Sequence, residues 1–432
     1  MDNQIFIGID IGTSSVRCTA INDEKNIIAS TKVKLSAPEN PQPGYYQQKP
    51  SLWWEATQKS LHSLCKEISP QYVKAISIDG TSSTVLLVDE NNTAVSDALM
   101  YNDNRSIDEL NHLKSLRIGI TDHQVPLTSL SKAIYLSKQC KSSKPLIISH
   151  QADWLSSKLT GSAGITDENN ALKLGFDVIN RQWPQWIQNI SIQHKLVLPK
   201  VLPVAKRNTL ITLDIAEQFS LPCETVIITG TTDSTASTIA TGIDKPGEAV
   251  TIFGSTMVMK IISEKAIFSI QDGLYSHRLS NNYWLVGGAS NSGGKVLEKY
   301  FDIDNLDNLS SQINDSKPSG LNYYPLPDIG ERFPINDLKL KPKLEPRPKS
   351  DSLFLQGIFE GFANIEKLAY RKMHELGAEQ PNKIVTAGGL AANNQVLTKL
   401  RQKIIGIPVI KASHTEASYG SALIAMQGYL SE

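Results

Sequence analysis

The chain is expected to be an α/β protein of two domains, and three observations carry that expectation. Its 432 residues exceed the size at which a single hydrophobic core stops growing, so two domains of about 200 residues each are the natural reading. Helical and strand patterns alternate along most of its length. A short glycine and hydroxyl motif near the start, Gly12-Thr13-Ser14-Ser15-Val16, returns near the middle as Gly254-Ser255-Thr256-Met257-Val258. One copy opens each half, as expected if two related domains each offer a hairpin turn to one phosphate chain held between them. The stretch 242–247, GIDKPG, marks the division, so the expected domains are 1–243 and 244–432.

Ile5 to Asp10 reads as a buried strand, Gly12 to Ser15 as a turn and Val16 to Ile21 as a second strand. A polar turn at Asn22 to Asn26 and a third strand ending near Leu35 complete a meander. After the proline-rich stretch 38–50, Trp53, Thr57, Leu61, Leu64, Cys65 and Ile68 fall at helical spacing. Trp53 and Trp54 on that amphipathic helix are read as core rather than as a platform for a ligand. Val73 to Ile78 reads as a strand stopping at Asp79-Gly80, and Thr128 to Gln139 and Ser149 to Leu159 as helices. Thr225 to Thr229 reads as a strand, Gly230 to Thr232 as a turn, and Asp233 to Thr241 as a helix of small residues. In the second half, strands Glu248 to Phe253 and Met257 to Ile262 flank the second glycine turn. Residues 318–349, rich in proline and lysine, are expected to form a long surface connection. Strand Lys383 to Ala387, the turn Gly388-Gly389, a helix from Ala391, strand Val409 to Ile410 and helix Glu416 to Tyr429 close the chain.

Lysine plus arginine number 43 and aspartate plus glutamate 43, with no long run of one sign. Nothing in that balance steers the chain toward nucleic acid or anionic lipid, so the expected partner is small. Cys18, Cys65, Cys140 and Cys223 have neither a CxxC pair nor a metal-ligand spacing, and are read as free thiols filling the core in a reducing compartment. The start lacks a basic region followed by a long apolar one, and no run of about 18 apolar residues occurs. A soluble, cytoplasmic protein is expected. The eight histidines show no ligand spacing, so no histidine metal site is expected.

Four groups of residues carry chemistry. In Asp10-Ile11-Gly12-Thr13-Ser14-Ser15, glycine lets the backbone approach a ligand, and the N–H and hydroxyl groups after it can point at phosphate oxygens. An aspartate there is useful only if a cation separates like charges, a task that suits Mg²⁺; the plainer reading is an Asx turn in a hairpin. Asp233 opens its helix either as a cap or as a carboxylate that accepts a proton from an attacking hydroxyl. Gly388-Gly389, with Ala392 and Asn393 beyond, offers a turn without side-chain bulk that admits a flat base or a ribose. Asp79, Ser82 and Ser83 lie just past a strand end, where open α/β sheets place ligands, and their polar groups suit a polyol.

Taken together, IGIDIGTSSVR, PGYYQQKPSLWW, YNDNRS, PLTSLSKAIYL, HQADWLSSKLTG, DENNALKLGFD, ITGTTDSTAS, FGST, TAGGLAANN and EASYGSALIA resemble the FGGY family of carbohydrate kinases over nearly the whole chain. The resemblance implies two ribonuclease-H-like domains with a cleft between them, a fold shared with actin and chaperone ATPases. It implies transfer of the γ-phosphoryl group of ATP, with Mg²⁺, to a small ketose or polyol by a monomer or homodimer, cytoplasmic or in a plastid stroma. Asp10, Gly12, Thr13, Ser14 and Ser15 match the first phosphate and Mg²⁺ motif, Asp233 the catalytic base, with Asp10 and Thr13 beside it, and Asp10 and Asp233 the groups nearest the metal. Gly254, Ser255 and Thr256 match the second phosphate loop, and Gly388, Gly389 and Asn393 the adenosine turn.

The chain departs from the family in places. Where xylulokinases carry Gly-Gln-Met-His-Gly and glycerol kinases Asn-Gln-Arg-Glu, it has Asp79-Gly80-Thr81-Ser82-Ser83, and Gln47 replaces the usual acidic residue. In these respects it resembles a compact, xylulose-kinase-like subgroup whose favoured substrate is D-ribulose, where Asp10, Ser82 and Asp233 contact the sugar. D-xylulose and other ketoses or polyols stay open as substrates. A sensor of the same fold would have no use for a base at Asp233, and a chaperone or filament ATPase would need added domains or insertions that are not seen.

Overall fold

The computed structural model describes residues 4–116, 127–140 and 142–431; Met1 to Asn3 and Pro126 of the motifs above lie outside them. The chain forms two compact units. One comprises residues 1–240 and 416–432, and the other residues 241–415. The final helix, which a linear division at 243 assigns to the second half, thus packs in the first unit.

The first unit is built on a six-stranded sheet. Its strands are β1 (Ile5–Ile11), β2 (Ser15–Asn22), β3 (Ile27–Lys34), β4 (Val73–Gly80), β5 (Arg207–Leu210) and β6 (Val226–Thr232), in the order β5-β6-β4-β1-β2-β3. β1, β2 and β3 form an antiparallel meander, while β4 and β6 run parallel to β1 and to each other. Every residue of β1 is buried, the pattern of a strand covered on both faces, which is why it reads as a nearly unbroken apolar run. Ile5, Ile7, Ile9 and Ile11 pack with Trp53 of α1 (Pro50–Glu67) and Trp154, so Trp53 is core as expected. Phe6 on the other face packs with Tyr419 and Ile424 of the last helix.

Three boundaries differ from the sequence reading. Gly230 to Thr232 continue strand β6 instead of turning, because Thr231 and Thr232 pair with Asp79 and Gly80 of β4. For the same reason Asp79 sits inside β4. Ser149 and His150 belong to the strand Leu146–His150, and the helix begins at Gln151. That strand lies in a second, five-stranded sheet of the first unit, against which helix α2 (Thr128–Cys140) packs.

The second unit repeats the plan. Its strands are β7 (Glu248–Phe253), β8 (Met257–Ser263), β9 (Tyr275–Arg278), β10 (Trp284–Ser290), β11 (Lys383–Gly388) and β12 (Val409–Lys411), ordered β9-β10-β8-β7-β11-β12. β7, β8 and β10 are antiparallel neighbours, and β11 and β12 run parallel to β7. The 25-residue helix α3 (Asp351–Glu375) covers one face with Phe354, Phe359 and Phe362. Residues 318–349 form no long element, yet Tyr323, Leu326 and Phe333 are buried, so this segment is part of the core and more than a surface connection. All four cysteines are free; Cys18 is buried as expected, whereas Cys223 is exposed and fills no core.

Candidate active site

The first unit gathers acidic side chains at one end of its sheet. Asp10 and Asp79 are register partners near the carboxyl ends of the parallel strands β1 and β4, and Asp233 follows the end of the next strand, β6. Open α/β sheets bind ligands at this edge, where loops diverge and backbone groups stay available. Asp10 is 5 % exposed and Asp79 is fully buried. Burial first, and the charge of Asp233 next, raise the Asp10 carboxyl, which settles at about 6. Its contact with Asp79 and the Arg17 guanidinium, 3.5 Å away, pull it back down. Burial, then the Asp10 charge, hold the Asp79 carboxyl well above the usual carboxylate range. Two adjacent carboxyl groups in a dry place cannot both ionise cheaply, so Asp79 is the one that keeps a proton. Ser421 Oγ donates to Asp79 Oδ2 at 2.5 Å from the helix α4 (Ala417–Leu430), anchoring it from below.

Asp233 is half-buried at the head of the helix Asp233–Ala240. Its Oδ1 accepts from the N–H of Ser234 at 2.6 Å, which leaves the carboxylate oriented by the backbone beside the other two acids. Lys173, half-buried just after the helix Glu168–Leu172, is attracted to the Asp233 charge, and its own pKa is lowered by burial.

The hairpin between β1 and β2 closes through Gly12 N donating to Ser15 O at 3.0 Å. Gln48 Nε2 donates to the carbonyl of Thr13 at 3.2 Å and Trp53 Nε1 to Gln48 Oε1 at 2.9 Å, so the QKPSLWW segment props the turn. Ser14 is exposed, while Gly12 and Thr13 are half-buried. Past β4, the turn Thr81 to Thr84 is fixed by a bond between the hydroxyls of Thr81 and Thr84 at 2.6 Å and by Gln151 Oε1, which accepts from Thr81 N at 3.0 Å. Ser82 is the exception in that turn: its hydroxyl is buried and has no hydrogen-bond partner among the described residues.

The second unit holds its own group. The turn between β7 and β8 closes through Gly254 N donating to Thr256 O at 3.0 Å, one residue tighter than the Gly12-to-Ser15 bond of the first hairpin. Gly388 lies beside Phe253 in the parallel register of β11 and β7, so the Gly254–Thr256 and Gly388–Gly389 turns share one sheet end. Gly388 has φ 103°, and a Cβ there would collide with the Phe253 carbonyl oxygen, so only glycine fits. Gly389 faces open space on the side a Cβ would occupy, and Asn393 Nδ2 reaches its carbonyl at 3.4 Å. Gly293 and Gly294 also reach this place: Gly294 N donates to Gly254 O at 2.9 Å. They were not singled out from the sequence, although NSGGK ahead of a helix was the available signal. Arg17, Lys173 and Glu416, whose carboxylate pairs with Arg17 at 2.7 Å, were missed as well.

Among the described residues no cluster of three His, Cys, Asp or Glu side chains is arranged to hold a metal by itself. The pair Asp10 and Asp233 is nevertheless a donor set that fits Mg²⁺, which takes one or two carboxylates and leaves most positions to water and phosphate oxygens.

Comparison with known proteins identifies the family and the fold. Residues 5–240 match the N-terminal domain of the FGGY family of carbohydrate kinases, and residues 249–429 match its C-terminal domain. A xylulose kinase of Staphylococcus epidermidis is 22 % identical over 446 residues, covering 99 % of this chain and 88 % of that protein. The crystal structure of a xylulose kinase from Brucella ovis superposes with a TM-score of 0.86 at 20 % identity, covering 99 % of this chain and 91 % of that one. A gluconate kinase from Lactobacillus acidophilus superposes with a TM-score of 0.83 at 17 % identity, covering 99 % and 89 %. With both family domains matched in order along almost the whole chain, the protein belongs to the FGGY family of carbohydrate kinases, and its activity is the ATP-dependent phosphorylation of a sugar.

Proposed function

We propose that the sugar is a ketose, with D-ribulose preferred, and that Asp233 is the base that accepts the proton of its attacking hydroxyl. The observation that carries this reading is the meeting of Asp10, Asp79 and Asp233 at the ends of three adjacent parallel strands, close enough that their charges act on one another. In the step proposed, the sugar oxygen forms a bond to the γ-phosphorus, its proton passes to a carboxylate oxygen of Asp233, and ADP departs. Phosphoryl transfer asks little covalent work of the protein, so positioning and charge neutralisation supply most of the acceleration. Asp233 adds about 10² to 10⁴ through the proton step.

Asp10 and Asp233 would hold Mg²⁺, which neutralises phosphate charge when bound. Gly12 to Ser15 would take phosphate oxygens by backbone N–H and hydroxyl groups, with Gly254 to Thr256 in the same role, and Gly388, Gly389 and Asn393 the adenosine. The unpartnered hydroxyl of Ser82 supports a place for a sugar hydroxyl in the first unit, since a buried hydroxyl without a partner costs about 1–3 kcal/mol until a ligand supplies one. D-ribulose is placed ahead of D-xylulose because the Asp79-Gly80-Thr81-Ser82-Ser83 segment departs from the xylulokinase run.

ADP release across D-ribulose, D-xylulose, L-ribulose, gluconate and glycerol, at fixed ATP and Mg²⁺, tests the reading. The expected order has D-ribulose first in kcat/KM by at least about tenfold, the span that a few hydroxyl hydrogen bonds provide. A higher kcat/KM for D-xylulose or gluconate would overturn it.

A further inference from the structure

Lys132 is a long cation with almost no exposure, 2 %, in the middle of helix α2. Its ammonium donates to three backbone carbonyls, those of Ser83 at 2.9 Å, Met100 at 2.6 Å and Tyr101 at 3.1 Å. An ammonium has three donors, so all of them are used. One of those carbonyls belongs to the turn that carries Ser82. The other two begin the loop Tyr101-Asn102-Asp103-Asn104-Arg105.

That loop is itself rigid. Asp103 receives Arg105 Nη2 at 2.8 Å and the N–H of Tyr46 at 2.6 Å, and Arg105 Nη1 donates to Gln47 Oε1 at 3.0 Å. The motifs PGYYQQ, YNDNRS and LTSLSK, which the proposed chemistry leaves without a role, are therefore one connected scaffold, and Lys132 is its link to the turn after β4. The turn needs such a link, since Ser83 has φ 72°, a left-handed conformation that costs a non-glycine residue about 1–3 kcal/mol. Its hydroxyl is held by Thr128 at 2.8 Å and by Ser129 at 3.2 Å, and its carbonyl by Lys132. Only Ser82, next to it, keeps an unpartnered hydroxyl among the described residues of the turn.

We propose that Lys132 is a positioning residue for sugar recognition: by tying the strained Ser83 backbone to the 100–105 loop it holds the Ser82 hydroxyl where the sugar needs it. The inference rests on the proposed place of the sugar beside Ser82. Lys132 touches neither substrate, so its loss acts on sugar affinity and leaves the nucleotide alone.

Steady-state kinetics of Lys132→Met with D-ribulose and with ATP, alongside a thermal melt, test it. The expected result is a KM for D-ribulose raised about 10- to 100-fold, the scale of losing charge-assisted hydrogen bonds, with the KM for ATP unchanged within about twofold. A purely structural lysine would instead lower the folded fraction and hence apparent kcat, with both KM values kept; that outcome overturns the proposal. If Lys132→Met does not fold, Lys132→Arg decides, because it keeps the cation while its planar guanidinium cannot place donors on the Ser83, Met100 and Tyr101 carbonyls as the ammonium does. A D-ribulose KM raised at least about threefold with normal ATP KM supports the proposal, and an unchanged one overturns it. Should the wild-type protein release no ADP with any ketose, the ketose reading and this inference fall together. Wild-type turnover with unshifted variants sinks the inference alone.

Discussion

Asp10 shows how a buried charge costs stability at a single residue. Its pKa in the folded chain, about 6, lies above the ordinary 3.8, so the folded state holds the proton more tightly than the unfolded one. That contribution to stability is complete below about 3.8 and is lost as pH rises through about 6, leaving a cost on the order of 3 kcal/mol near pH 8. Asp10→Asn removes the charge and keeps the shape. Its melting temperature should therefore exceed that of the wild type by more at pH 8 than at pH 5, while sugar kinase turnover is lost. A difference that is equal at the two pH values, or of opposite sign, would show that the charge is not strained. The same reasoning explains why the acids were only partly legible in the chain. Asp10 beside a glycine turn and Asp233 at the head of a small-residue helix carry local signals, and both stand in the acidic group. Asp79 was seen as a strand-end residue, but its pairing with Asp10 and Ser421 is made by segments 69 and 342 positions apart, which no local pattern reveals.

Among the elements, the closing helix α4 does the most to place the site. It lies against β1 closely enough that a Cβ on Gly8 would collide with the Ser418 carbonyl oxygen. A Cβ on Gly420 would collide in the same way with the Ala236 carbonyl of the helix that Asp233 opens. From this helix come Ser421, which holds Asp79, and, just before it, Glu416, which holds Arg17. Gly420→Ala is expected to destabilise the protein by about 1–3 kcal/mol and to lower kcat, because overpacking here moves the supports of Asp79 and Asp233 together. Circular dichroism melts and ADP release measure both effects, and a variant with wild-type melting and turnover would contradict the close fit. The helix itself was legible in EASYGSALIA, whereas its partner was not: small residues say that something approaches closely, not what. Strands β1, β2, β7 and β8 were legible because a buried apolar run between glycine turns is a local signal. The turn assigned to Gly230 to Thr232 failed because pairing with β4 overrode the glycine.

For the molecule as a whole, the five-residue echo between Gly12 and Gly254 proved the deepest signal in the chain. Each copy lies in the first hairpin of its unit, and each hairpin leads a sheet in which three antiparallel strands sit beside two parallel ones. The order of the chain and the order of the units differ only at the end, where residues 416–432 return to the first unit. No helix among the described residues is long and apolar enough to cross a membrane. Both units carry glycine turns at the carboxyl ends of their parallel strands, but among the described residues the Asp10, Asp79 and Asp233 group lies in the first, which is why the proton step is proposed there.

The most direct test of that assignment is single-turnover transfer from ATP to D-ribulose by wild-type and Asp233→Ala protein, with ADP affinity measured separately. The account predicts that transfer slows by at least about 10² while ADP binds as before. Transfer at near-normal rate in the variant would contradict it and remove Asp233 from the role of base.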